Sequence, residues 1–331
     1  MKTGGRILVL VLFFLSGALG LIYEVTWMRL LRLAMGNTVF TSATVLTTFM
    51  AGLALGAYLA GRSVDRYARP LRLYGLLEGA IGIYALATPL LLVIVDPVYA
   101  WLYHALGDSF VLLGIGRFLV SACLLILPAT LMGATLPLLS RFLSQHRESL
   151  GRDIGRLYAF NTLGAAIGAA SAGFVLLPEL GVTATIAFSA AGNIVVCLAA
   201  LYLARRGETQ LSPAREEGES GAVSDRREVA RSAAVWGLAG AGFASMIYEV
   251  AWTRALAMLV GSSVYAFTLM LVAFIAGLGA GSMILSGWVD RRRNLLLFLG
   301  GLELVVGLAA LMVVPLFSHL PFHMVEITTR Y

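Results

Sequence analysis

The sequence predicts an all-α membrane protein, a polytopic helix bundle assembled from two parallel copies of one block. Three observations predict it. Hydrophobic residues make up 59% of the 331 and charged ones only 13%, where a soluble domain carries about 25% charge. A soluble chain this apolar would leave large greasy patches wet. Nine apolar runs are each long enough to cross the ~30 Å hydrocarbon layer, which takes about 20 residues of helix. Finally, the string Tyr-Glu-Val-x-Trp-x-Arg occurs at 23–29 and again at 248–254.

The runs fall at about 7–34, 39–61, 71–95, 110–140, 156–177, 182–204, 233–259, 264–288 and 295–317. The first follows Lys2 and Arg6 and has the outline of a signal peptide. The same pattern recurs at Arg231–Ser245, where no signal peptide could sit, so it reads as a retained helix. Pro128 and Pro137 are expected to kink the fourth run, because an internal proline removes a backbone donor. Gly164 and Gly168 in the fifth read as a helix-packing groove. Residues 207–231 are polar and rich in Glu, Arg, Ser and Gly, which predicts a flexible cytoplasmic linker.

The net charge is +6, and Lys2 is the only lysine. The arginines crowd into alternate short loops: 62–72, 141–156, 205–231 and 291–293. Loops 96–109, 178–181 and 261–263 hold neither Lys nor Arg. This is the positive-inside pattern of a multi-pass membrane protein, with its N-terminus cytoplasmic and Tyr331 outside. It is not a nucleic-acid patch, and no nucleic-acid partner is expected. Cys123 and Cys197 lie inside apolar runs and the four histidines are scattered, so no metal site is expected.

A shift of 225 residues aligns the two copies without a gap. About 25 of the 65 pairs from Ile22/Ile247 to Leu86/Leu311 are identical, as a parallel transporter repeat would show. Tyr23/Tyr248, Glu24/Glu249, Trp27/Trp252, Arg29/Arg254, Asp65/Asp290, Arg66/Arg291 and Glu78/Glu303 are among them. The expected organisation is a first six-helix repeat over 1–206, the linker over 207–231, and the first three helices of a second repeat over 232–331. The second copy stops after three spans, so the chain is expected to be a fragment of a longer protein.

The loop "GRSVDRYARPLRL" at 61–73 has the Gly-x-x-x-Asp-Arg-x-x-Arg form typical of the major facilitator superfamily, and "GWVDRRR" at 287–293 is a degraded second copy. With "SGALGLIYEVTWMRLLRLAMGN", "PATLMGATLPLLSR" and "GRLYAFNTLGAAIGAASAGFVLLPELG", nearly the whole chain resembles the membrane region of the bacterial fused major-facilitator/spermidine-synthase-like proteins. The resemblance implies a major-facilitator-like architecture in the bacterial inner membrane and a partner, a cytoplasmic domain resembling polyamine aminopropyltransferases. It also implies an activity for the full-length protein, aminopropyl transfer from decarboxylated S-adenosylmethionine to a diamine such as putrescine. No glycine-rich nucleotide loop after a strand occurs in these residues, so neither catalytic residues nor a cofactor are expected in this chain.

Intramembrane acids are functional candidates by default. Glu24 stands 18 residues after Arg6, about 27 Å along a straight helix, and Glu249 stands equally far after Arg231. Both are therefore expected near the outer edge of the core, with Trp27 and Trp252 in the outer aromatic belt. Tyr23, Glu24 and Trp27 share one helix face, as do Tyr248, Glu249 and Trp252. Either set could take an ammonium ligand by carboxylate and cation–π contact. Arg117 is the expected partner of Glu24. The competing roles are an inter-helix ion-pair network and proton coupling. Arg29, Asp65, Arg66, Glu78, Arg254, Asp290, Arg291 and Glu303 are expected in structural ion pairs or gating. Glu78 in particular is expected to face the arginines of 62–72. Two functions follow: transport or delivery of a small cationic amine, or a non-transporting scaffold for the catalytic domain.

Overall fold

The computed structural model describes residues 3–36, 39–107, 109–143, 150–207, 225–261, 263–286 and 295–330, and every regular element among them is helical. The α-helices are α1 (Thr3–Met35), α2 (Val39–Ser63), α3 (Pro70–Leu106), α4 (Phe110–Leu143), α5 (Leu150–Ser171), α6 (Leu177–Gly207), α7 (Asp225–Val260), α8 (Ser263–Ser286) and α9 (Leu295–Arg330). Proline at the first position of α3 costs nothing, because its missing N–H would be unpaired there anyway. A π-helical turn, Ala172–Leu176, joins α5 to α6.

Among the described residues, eight stretches are long and apolar enough to cross a membrane. The longest, Arg152–Arg206, holds 55 residues, about 80 Å of helix against a ~30 Å core. Packing shows that it turns back on itself. Gly164 and Gly168 of α5 lie against Phe14 and Ala18 of α1, so these two helices run parallel. Tyr74 and Glu78 of α3 bond to Leu12 and Ser16 of α1, so α3 runs the same way. Gly75 and Gly82 of α3 meet Ala200 and Asn193 of α6, so α6 runs the opposite way. The reversal falls at Gly181, whose φ of 74° and ψ of 179° break the helix inside the expected loop 178–181. The described residues therefore make nine crossings. That backbone region is nearly exclusive to glycine. Gly181→Ala is expected to cost about 1–3 kcal/mol, read as a lower unfolding midpoint in detergent, although a methyl there would touch nothing.

The chain forms two compact units. One comprises residues 1–215 and 271–290; the other comprises 216–270 and 291–331. In the first, α1 packs on α5 and α6, α2 on α4, and α3 on α4 and α6. The α2–α4 crossing is parallel: Gly52 meets Ala129, Gly56 meets Thr130, and Gly133 meets Leu53. Small residues let backbones approach closely where lipid supplies no hydrophobic drive for association. Residues 271–286 of α8 join this unit through Ser282, whose Oγ donates to the Gly155 carbonyl (3.2 Å), and through Gly279 against Leu163. At the arginine-rich end, Arg6 bonds Asp153 (3.2 Å) and the Leu143 carbonyl (3.1 Å), and Arg141 pairs with Asp65 (3.4 Å). Leu90, Val93, Val195 and Leu198 stand bare on the outer faces, as lipid-contacting side chains must. In the second unit α7 lies against α9.

The 225-residue offset recurs in the backbone. Helix α1 ends at Met35 and α7 at Val260; the next residues, Gly36 (φ 89°) and Gly261 (φ 73°), both take the left-handed turn. Two expectations need correction. Much of the 207–231 linker lies outside the described residues, and its last seven residues are already the start of α7. Trp27 is 1% exposed. It is therefore a core residue and not part of an aromatic belt.

Candidate functional site

The Tyr-Glu-Val-x-Trp string is helical in both copies, so residues four apart stand one above the other. The Tyr23 and Trp27 rings stack with centroids 5.3 Å apart and planes at 14°. Tyr248 and Trp252 repeat this at 5.2 Å and 12°. Stacked rings of this kind contribute about 0.5–1.5 kcal/mol beyond their buried area. Beside each stack sits a buried carboxylate: Glu24 is 0% exposed and Glu249 1%. Among the described residues no hydrogen bond reaches either oxygen of Glu249. Tyr248 and Trp252 are half-buried, whereas Tyr23 and Trp27 are enclosed.

A second buried acid organises the first unit. The carboxylate of Glu78 on α3 accepts from Ser16 Oγ of α1 (2.5 Å) and from Asn193 Nδ2 of α6 (2.6 Å). Asn193 Oδ1 in turn accepts from the Tyr23 hydroxyl (2.9 Å). The polarity of this chain of bonds is fixed at Glu78. A carboxylate offers only acceptors, so Asn193 must turn its NH₂ toward it, which leaves the amide oxygen for Tyr23. Glu78, Tyr23 and Tyr74 are 0% exposed and Asn193 2%. Tyr74 donates to the Leu12 carbonyl (3.2 Å). Three helices are thus tied through polar groups that have no water to fall back on, and the tie ends on the ring that stacks with Trp27.

Several sequence expectations are corrected by this geometry. Glu78 faces Ser16 and Asn193, not the arginines of 62–72, because its side of α3 packs on α1 and α6. Arg117 makes no hydrogen bond or ion pair among the described residues, so the expected pair with Glu24 does not form. It lines a cavity between α2 and α4. Arg29 is half-buried, and Arg66, Arg254 and Glu303 are exposed; none is ion-paired among the described residues. Asp65 meets Arg141. Asp290 and Arg291 lie outside the described residues. Ser16, Tyr74 and Asn193 were not singled out in the sequence. An asparagine amid the apolar run 182–204 was the available signal, since an amide in lipid needs partners; Ser16 offered none.

Comparison with known proteins follows the same lines. The family model of the Major Facilitator Superfamily matches residues 129–327. The chain is 29% identical over 208 residues to polyamine aminopropyltransferase 2 of Streptomyces coelicolor, covering 62% of this chain and 36% of that protein. It is 27% identical over 179 residues to polyamine aminopropyltransferase 1 of the same organism, covering 54% and 30%. The chain thus spans about a third of the length of the curated relatives it matches. No solved structure matches it.

Proposed function

The chain belongs to the major facilitator superfamily, and from that premise we propose that its bundle binds a small cationic amine and carries or delivers it to an aminopropyltransferase-like domain on the cytoplasmic side. One observation carries this reading. A buried carboxylate beside a stacked Tyr–Trp pair occurs twice, as Tyr23, Glu24 and Trp27 in one unit and as Tyr248, Glu249 and Trp252 in the other. A carboxylate with aromatic faces beside it is what an ammonium group needs once its water is stripped away. The names of the Streptomyces relatives point to the same chemical class. The matching offsets of sequence, helix ends and stacks support a duplicated block. The arginine-rich loops support an inner-membrane protein with a cytoplasmic N-terminus. Decarboxylated S-adenosylmethionine is the co-substrate of the transferase domain in this reading.

A second reading, a membrane scaffold for that domain, is favoured by the enclosure of Tyr23, Glu24 and Trp27, which reaches 0–1% exposure. Uptake of labelled putrescine into proteoliposomes separates the two. Under the transport reading, Glu24→Gln combined with Glu249→Gln lowers uptake at least tenfold, by loss of charge-assisted contacts of about 1.5–3 kcal/mol each. Uptake that equals that of empty vesicles supports the scaffold, whereas uptake that ignores both substitutions would remove Glu24 and Glu249 from the amine site.

A further inference from the structure

Within the first unit a cavity of about 450 Å³ opens at one end of the bundle. Its walls are the last residue of α1, Met35, the first turns of α2 and the first turns of α4. Those elements all begin or end at the membrane surface, so the cavity runs from the interface inward. Phe40, Val111, Ile115 and Phe118 make it greasy, Thr44 and Thr47 add hydroxyls, and among the described residues Arg117 is its one charged lining residue. Arg117 lies seven residues into α4, about 10 Å from its end. Among the described residues no hydrogen bond or ion pair satisfies its guanidinium and no acid lines the cavity. A second cation stands at the same end: Arg32 donates to Ser42 (2.8 Å), which sits between the lining residues Thr41 and Ala43.

An arginine about 10 Å below a membrane surface, with no anion beside it among the described residues, is costly unless it meets an anion or reaches the headgroups. An apolar slot beside it fits one acyl chain. From this charge complementarity and depth, we infer that the cavity is a binding site for an anionic phospholipid, with its phosphate on Arg117 and a tail between α2 and α4. The Arg117 guanidinium repels an amine, so this ligand is distinct in class from the one proposed at Glu24. The site also accounts for arginines at the end of the bundle opposite the arginine-rich loops, against the usual bias.

The test is lipid retention by the full chain purified from nanodiscs containing equal phosphatidylglycerol and phosphatidylcholine, read by native mass spectrometry. The wild type is expected to keep phosphatidylglycerol preferentially. Arg117→Gln is expected to reduce that preference roughly tenfold, the loss of one charge-assisted contact. Gly114→Leu tests the slot without touching the charge. A side chain there starts with no atom within 4 Å, so it can fill the cavity without disturbing the fold, and it is expected to reduce retention of either lipid. Equal retention of both lipids by the wild type would overturn the inference. So would a phosphatidylglycerol preference that survives both substitutions, or saturable binding of decanoate at Arg117 with no phospholipid preference.

Discussion

Gly56→Ala is expected to destabilise the bundle by about 3 kcal/mol, at the upper end of the 1–3 kcal/mol typical of overpacking, while Gly61→Ala, five residues along the same helix, raises stability by about 0.5 kcal/mol. Both replace a helical glycine by the best helix former, and propensity alone would make both stabilising. They differ in what a methyl would meet. At Gly56 it would fall inside the Thr130 carbonyl and against the Ala134 amide; at Gly61 nothing lies within 4 Å. The obstacle at Gly56 is backbone, which cannot swing aside as a side-chain tip can. Helices α2 and α4 must therefore part, and the neighbouring contacts of Gly52 with Ala129 and of Gly133 with Leu53 are lost with them. In lipid these van der Waals contacts are the main attraction between the two helices, so separation is not offset by a hydrophobic gain. Gly281, the residue aligned with Gly56 in the second copy, is open on that side, and Gly281→Ala is expected to leave stability within about 0.5 kcal/mol. Unfolding in mixed detergent micelles measures all three. Equal midpoints for Gly56→Ala and Gly61→Ala would mean that α2 and α4 do not cross this closely.

Hydropathy and charge made the crossings legible because each depends only on neighbours in sequence. Twenty apolar residues must span, and the short arginine loops must alternate. The break at Gly181 was legible for the same reason, since two apolar runs meet at Glu179 and a glycine. The start of α7 was not. Asp225–Ala230 is charged enough to read as linker, yet nothing in it forbids helix, and a helix can run on past the bilayer. Partners across the bundle were the least legible. Ser16 and Asn193 lie 62 and 115 positions from Glu78, and which side of α3 meets them is decided by packing. The 225-residue repeat even misleads here. It pairs Glu78 with Glu303, but Asn193 lies beyond the part of the block for which the second copy has an aligned residue, and Glu303 is exposed. Trp27 was misplaced by a depth argument that counted rise along one helix and knew nothing of the neighbours that cover it.

The tie through Glu78 leads to the second large effect. Asn193→Leu keeps the branching and the number of side-chain heavy atoms, although its two methyls are bulkier than the amide, and it removes one donor and one acceptor together. Glu78 Oε2 loses the 2.6 Å bond from the amide, and the Tyr23 hydroxyl loses its 2.9 Å acceptor. Each stranded buried group costs about 1–3 kcal/mol, more where it is charged, so a total of about 4 kcal/mol is expected. Tyr23→Phe removes one donor and leaves an amide oxygen, and it should cost only about 1 kcal/mol. A cycle separates these terms. If the stranded carboxylate carries the loss, adding Glu78→Leu to Asn193→Leu recovers at least about 2 kcal/mol, because the second change deletes the unsatisfied acceptor. Ser16, then released, can turn its hydroxyl to a carbonyl of its own helix. Near-UV circular dichroism adds a readout that general destabilisation would not mimic. With its hydroxyl untethered the Tyr23 ring loses its fixed angle to Trp27, and the aromatic signal weakens at temperatures where the far-UV helical signal is intact. Additive energies in the cycle, or an unchanged aromatic signal in Asn193→Leu, would mean that α3, α6 and the Tyr23–Trp27 stack are held independently, and Glu78 would then have no route to the residues beside Glu24.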